Sequence, residues 1–311
     1  MNEFFDESQI PLGDWSQSAV DWITSSFRPM FQAARVPVAA ILNLTEGWLI
    51  GASPLVILAL VFLLSWQFAN IRVAIGAIAG LFFLGLIGIW DQTMITLSLV
   101  ITAVFFSTAV GIPIGIWSSR NRRVASVIRP ILDIMQTLPG FVYLVPIVML
   151  VGIGKVPGVM VTVVFALPPV VRLTDLGIRQ VPNSTIEAAS AFGSSPWQIL
   201  TKIQLPLALP TVLMGINQTL MMALSMVVIA SMIGVGGLGN VVLQGIGRLD
   251  MGLATVGGVG IVVLAMILDR ITQAIGRVGK QDPLLLRGPI GLLFRIAPNV
   301  QHHIKHKTTA G

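Results

Sequence analysis

The chain has 311 residues, of which 55% are hydrophobic and 10% charged, well below the roughly 25% charged residues of an average soluble domain. Its net charge of +6 comes from bases scattered between apolar runs without interleaved aromatics, which argues against a nucleic-acid surface. Cysteine is absent, which excludes disulfides and thiol chemistry, while 31 Gly and 18 Pro occur largely within apolar runs, as membrane helices tolerate. The expected fold class is an all-α integral membrane protein.

Residues 1–49 carry Glu3, Asp6, Glu7, Asp14, Asp21 and Glu46. They lack a basic leader followed by an apolar stretch and a small-residue cleavage site, so they are expected to stay on the mature protein as an external tail. Within them Trp15, Ala19, Trp22, Ile23, Phe27, Met30 and Phe31 recur at helical spacing, with Asp14, Ser18 and Asp21 elsewhere on the wheel. Two readings follow: an amphipathic helix on the outer membrane surface, or a partly ordered acidic tail.

Seven apolar segments approach the length needed to cross about 30 Å of hydrocarbon. They are Ile50–Phe68, Val73–Ile89, Met94–Trp117, Ile131–Ile153, Val156–Leu173, Leu207–Ile233 and Leu253–Ile275. The first two form an accessory pair within 50–93 and the other five lie within 94–280, followed by a basic tail at 281–311. Pro168 and Pro169 are expected to break the last turn of the fifth segment, and merging or dropping a segment gives a six-span alternative. Of the 19 Lys and Arg residues, all but Arg28, Arg35, Lys155 and Arg248 fall on inward segments when the N-terminus is placed outside. That asymmetry predicts an external N-terminus and a cytoplasmic C-terminus, with the loops after Trp117 and Leu173 both cytoplasmic.

The polar loop 174–206 is the most informative stretch. Ser184-Thr185-Ile186-Glu187 has the spacing of a capping box, Ala188, Ala189 and Ala191 propagate the helix, and Gly193 can end it in a left-handed turn. Ser195-Pro196 then starts a second short helix, with Ser as cap and Pro at its first position, and the chain re-enters the membrane at Leu205-Pro206. On this reading Glu187 is a cap and Gly193 a helix stop.

Elsewhere, Arg129 and Asp133 stand one helical turn apart and predict an intrahelical pair, and Asp269 with Arg270 predicts an interfacial anchor. Gly234 to Gly239, GVGGLG, matches a dinucleotide fingerprint, but an apolar helix precedes it where a strand is required, so a flexible external turn is expected. No GxxxxGK phosphate loop occurs, so the chain is not expected to hydrolyse ATP by that route. His302, His303 and His306 are expected in a solvated tail, with no metal site.

Glu187-Ala188-Ala189, Gly193, Ile203, Leu205 and Pro206 together reproduce the EAA-x3-G-x9-I-x-LP signature, and the chain thereby resembles the permeases of ATP-binding-cassette importers. Phe141 to Pro146, Phe165 to Pro169, Asn217 to Leu220 and Gly247 to Thr255 extend the resemblance to the glycine betaine/proline betaine permease family, from about Met94 to Lys280. Choline and carnitine systems share much of this pattern.

This resemblance implies a type I importer permease core in the last five spans, located in a bacterial inner membrane. It implies that Glu187, Ala188, Ala189, Gly193, Ile203, Leu205 and Pro206 belong to a loop that docks on an ATPase subunit. The further implied partners are an external substrate-binding protein and a second copy of the permease. ATP would be used by the partner subunit, with no cofactor and no catalytic residue in this chain. Tyr143 and Asn217 are put forward for the substrate pathway, Tyr143 because an aromatic face can hold a quaternary ammonium or pack on a neighbouring helix. The rival class is an ion-coupled secondary transporter acting alone, which usually places ionisable groups near midplane within repeated halves; neither is visible in the sequence.

Overall fold

A computed structural model describes residues 11–277, and among them all regular structure is helical. The chain runs α1 (Leu12–Gly51), α2 (Pro54–Phe68), α3 (Ile71–Leu86), α4 (Trp90–Arg120), α5 (Arg122–Thr137), a 3-10 turn (Gly140–Tyr143), α6 (Leu144–Val151) and α7 (Lys155–Arg179). It continues through α8 (Asn183–Ala191), α9 (Pro196–Ile199), a π-turn (Leu200–Gln204), α10 (Leu205–Ala230), α11 (Gly237–Gly247) and α12 (Met251–Arg277). The histidine cluster and the rest of the basic tail lie outside the described residues.

Four stretches are long and apolar enough to cross a membrane unaided: Trp90–Arg120, Lys155–Arg179, Pro196–Ile233 and Met251–Ile275. Two more candidates are bent pairs, Ser25–Gly51 with Pro54–Phe68 at 109° and Arg122–Thr137 with Gly140–Val151 at 108°. The shorter α3 completes the set of seven predicted segments. All seven therefore fall on helix, and the fourth, expected over 131–153, is broken in its middle. Its break follows from Pro139-Gly140: proline lacks the amide that would continue the helix, and Leu138 before it adopts extended backbone with ψ 133°.

The opposite correction applies to α7, where Pro168 and Pro169 do not end the helix, which runs on to Arg179. Both prolines are buried, and α10 passes so close that a Cβ on Gly215 would lie 3.2 Å from Val170 Cα and 3.3 Å from the Pro169 carbonyl oxygen. In a membrane bundle, packing of this kind stabilises a helix that would break alone. On the other side of α7, Gly111 and Gly115 of α4 form a small-x-x-x-small stripe. A Cβ on Gly115 would meet Thr174 Cβ at 2.6 Å and the Val171 carbonyl at 2.8 Å. Helices α4, α7 and α10 thus pack closely against one another.

The division at residue 49 also shifts. Helix α1 is about 60 Å long at 1.5 Å per residue, and its two ends differ. Trp15, Trp22 and Met30 are exposed, whereas Val38, Leu42 and Leu49 are buried in the main core. Gln32 donates to the Leu150 carbonyl at 3.5 Å, Thr45 shares a 3.1 Å hydrogen bond with Thr102, and Glu46 pairs with Lys155. The second half of the presumed tail therefore belongs to the bundle. Only one charge, Glu46, interrupts its apolar run from Val36 to Gly51.

Two glycine-rich turns also pack together. Gly154 N–H donates to the Ile233 carbonyl at 3.1 Å, and Leu238 N–H donates to Thr96 Oγ1 at 2.8 Å. Gly234, Gly236 and Gly237 adopt positive φ, and Val235 and Leu238 are fully buried. The GVGGLG segment is accordingly a hydrogen-bonded, buried turn opening α11, where glycine content suggested a flexible one.

Candidate coupling site

The loop joining α7 to α10 carries the signature residues and has two distinct parts. Its base is a small apolar cluster of Ile178, Leu200, Ala208 and Val212, separate from the main core and flanked by Ile112, Ile116, Leu205 and Ile216. Leu200 retains 2% exposure. The π-turn widens the helix by one residue and carries the chain from α9 into α10 without interruption, so the expected membrane re-entry at Leu205-Pro206 is a continuous helix.

The outer part is the α8–α9 turn. Gly193 has φ +78°, the left-handed stop expected from the sequence, and a Cβ there would meet nothing within 4 Å. Its glycine is thus required by conformation and not by space. Ser195 caps α9 as expected, and the capping box is completed by Gln198, whose Oε1 accepts from Ser195 N–H at 2.8 Å. The box expected at Ser184/Glu187 is not formed, because α8 starts earlier, with Pro182 at its N-cap and Ser184 already inside the helix. Glu187 and Ala188 are exposed while Ala189 is buried, so the signature helix presents its acid outward. Two residues that the motif does not contain flank the turn: Phe192 is 91% and Trp197 68% exposed. Their signal in the sequence was present as aromatics in a polar loop, but exposure could not be read from it.

A charged network fastens this loop to the bundle. Asp175, buried among charged residues, accepts from Arg179 Nε at 2.6 Å and from Arg129 Nη2 at 3.2 Å. Arg179 also donates to the Ser118 carbonyl at 2.6 Å, and Arg172 pairs with Asp133. The intrahelical Arg129–Asp133 pair is replaced by two interhelical ones, because α7 continues past its expected end at Leu173 and brings Asp175, with Arg172, alongside α5. Asp175 was missed in the sequence for the same reason.

The two pathway candidates do not meet. Tyr143 sits in the 3-10 turn of the broken span, donates its hydroxyl to the Met135 carbonyl at 2.7 Å and meets Phe165 edge-on at 6.3 Å. Asn217 donates to Asp269 at 3.1 Å and accepts from Thr272, and Asp269 also accepts from Gln273. Asp269 is therefore part of an α10–α12 network, where the sequence suggested an interfacial anchor beside Arg270.

Crossing helices with a broken span and a signature loop seated on the bundle define a multi-pass transport component. Residues 111–278 match the family model of binding-protein-dependent transport system inner membrane components. The chain is 56% identical to the glycine betaine/proline betaine transport system permease protein ProW of Escherichia coli (strain K12), over 94% of this chain and 83% of that protein. It is 46% identical to the glycine betaine transport system permease protein OpuAB of Bacillus subtilis (strain 168), over 86% and 95% respectively. Among solved structures, an inward-facing conformation of the MetNI methionine ABC transporter matches with a TM-score of 0.57 at 24% identity, over 64% of this chain and 97% of that one. The chain belongs to the binding-protein-dependent inner membrane permeases, within their glycine betaine branch, and has the type I importer permease fold.

Proposed function

We propose that two copies of this chain form the pathway for glycine betaine, proline betaine or a related quaternary ammonium zwitterion. In this reading an ATPase subunit docks on the α8–α9 turn and an external binding protein delivers substrate. The observation that carries the coupling role is the turn itself, with exposed Phe192 and Trp197 on either side of Gly193 and a buried seat behind them. Exposed aromatics on a rigid support are what a partner groove engages, because their apolar area is gained on docking while little is lost in ordering. Glu187 and Ala188 would extend the contact, with Ile203, Leu205 and Pro206 holding the turn in place. The substrate class rests on the names of the relatives, which include a glycine betaine/carnitine permease of Listeria monocytogenes at 44% identity.

The same proposal places the N-terminus outside and the C-terminus inside, from the distribution of Lys and Arg. No cofactor is assigned to this chain, and ATP is used by the partner. Of the two pathway candidates Tyr143 is favoured, since irregular backbone at membrane depth is tolerated where it is buried in protein or lines a cavity. The amide of Asn217 is committed to α12. Purification from membranes with the neighbouring subunits tests the coupling: the ATPase should remain bound to the wild-type chain. A reporter active only outside the cytoplasm should be silent at Ser194 and active at Gly236. Activity at Ser194 would overturn the docking role, since that turn must face the ATPase.

A further inference from the structure

Helices α3 and α12 lie side by side, with Gly80 against Val263 and Ile267, and a groove of about 450 Å³ opens along them. Its walls are apolar, with Gly76, Ala77 and Gly80 on one side and Val263 and Met266 on the other, and Arg72 and Arg270 also line it. Pairing Arg72 with Arg270 and Gly80 with Val263 and Ile267 makes the two helices antiparallel, so both arginines mark one end of the groove.

No acidic residue lines the groove, and neither arginine forms an ion pair among the described residues. The nearest acid in sequence, Asp269, is engaged by Asn217 and Gln273. Asn70 is likewise occupied, capping Val73 N–H at 2.9 Å. Two exposed guanidiniums that share one end of an apolar slot, on helices of a membrane bundle, complement a ligand with a hydrocarbon body and a negative head.

We propose that this groove binds an anionic phospholipid, with an acyl chain along Gly76 and Gly80 and the phosphate held by Arg72 and Arg270. The chain sits against the bare helix faces that the glycines leave, and the two fork-shaped cations bind the phosphate oxygens. The site depends only on the membrane setting and stands apart from the transport reading.

Native mass spectrometry of the full-length chain, incubated with phosphatidylglycerol or phosphatidylcholine of matched acyl chains, tests it. At the usual attraction of an interfacial basic residue for anionic lipid, two arginines should favour phosphatidylglycerol by roughly 30-fold. Arg72→Gln combined with Arg270→Gln should abolish that preference while leaving a bound lipid. Gly76→Leu, whose Cβ meets nothing within 4 Å, should fold normally and displace both lipids by filling the slot. Equal affinity of the wild-type chain for the two lipids overturns the proposal without recourse to any variant, as does an undiminished preference in the double arginine variant. The absence of native cysteine allows one more check: a disulfide-linked dimer of Gly76→Cys in native membranes would show that a second copy covers the groove, and would also overturn it.

Discussion

At the tip of the signature loop Phe192 and Trp197 are exposed, whereas a few residues further on Leu200 is enclosed by Ile178, Ala208 and Val212. Both ends use large apolar side chains, but the seat has found its partners inside the chain and the tip has not. Substitutions in the seat should therefore appear as loss of fold. Substitutions at the tip should appear as loss of partner with the fold intact. Stability and the proposed coupling should be separable at this site because the seat is packed inside the chain while the tip is exposed.

The strongest break of that comparison is Leu200→Ala, a large-to-small change at 2% exposure that should cost about 2–5 kcal/mol. Membrane abundance and unfolding temperature should both fall. Wild-type values for both would mean that the cluster is not a seat at all. At the tip, Phe192→Ala with Trp197→Ala should leave stability within about 0.5 kcal/mol. Retention of the ATPase should weaken by about 2 kcal/mol or more, a loss in affinity of roughly 30-fold. Undiminished ATPase retention in that double variant would remove the turn from the docking surface.

Between seat and tip stands Asp175. Because Arg129 and Arg179 are 59% and 33% exposed, water and salt compensate part of a broken pair, so Asp175→Asn should cost about 1–2 kcal/mol. Thermal unfolding in low and high salt measures it, and the difference from the wild type should narrow as salt rises. Smallest of all is the turn residue. Gly193→Ala should lose about 1 kcal/mol through its positive φ, and Gly193→Asn less, because Asn visits the left-handed region readily. Equal losses in the two variants would point to a steric requirement at odds with the open space around that Cβ. Gly193→Asp, similar to Asn in conformation, adds charge at the docking face and should reduce uptake far more than it reduces abundance.

Much of this site was legible from residue order. Gly193 as a left-handed stop and Ser195-Pro196 as a capped helix start are local matters, decided by side chains within a few residues of one another. The seven segments were legible because hydrocarbon rewards a run of apolar residues wherever it falls. Several readings failed where a distant helix intervened. Pro168-Pro169 stays helical against α10, and Arg129 chooses Asp175 over the nearer Asp133. The segment 36–51 joins the bundle through contacts with α4 and with Lys155.

Sequence alone determined the membrane class, the places of the helical segments and the position of the signature loop, because each follows from composition or short-range spacing. Tertiary structure decided which charges pair and which aromatics stay exposed. Those outcomes depend on free-energy differences between neighbours brought together by packing, and no periodicity along the chain encodes which neighbours those are.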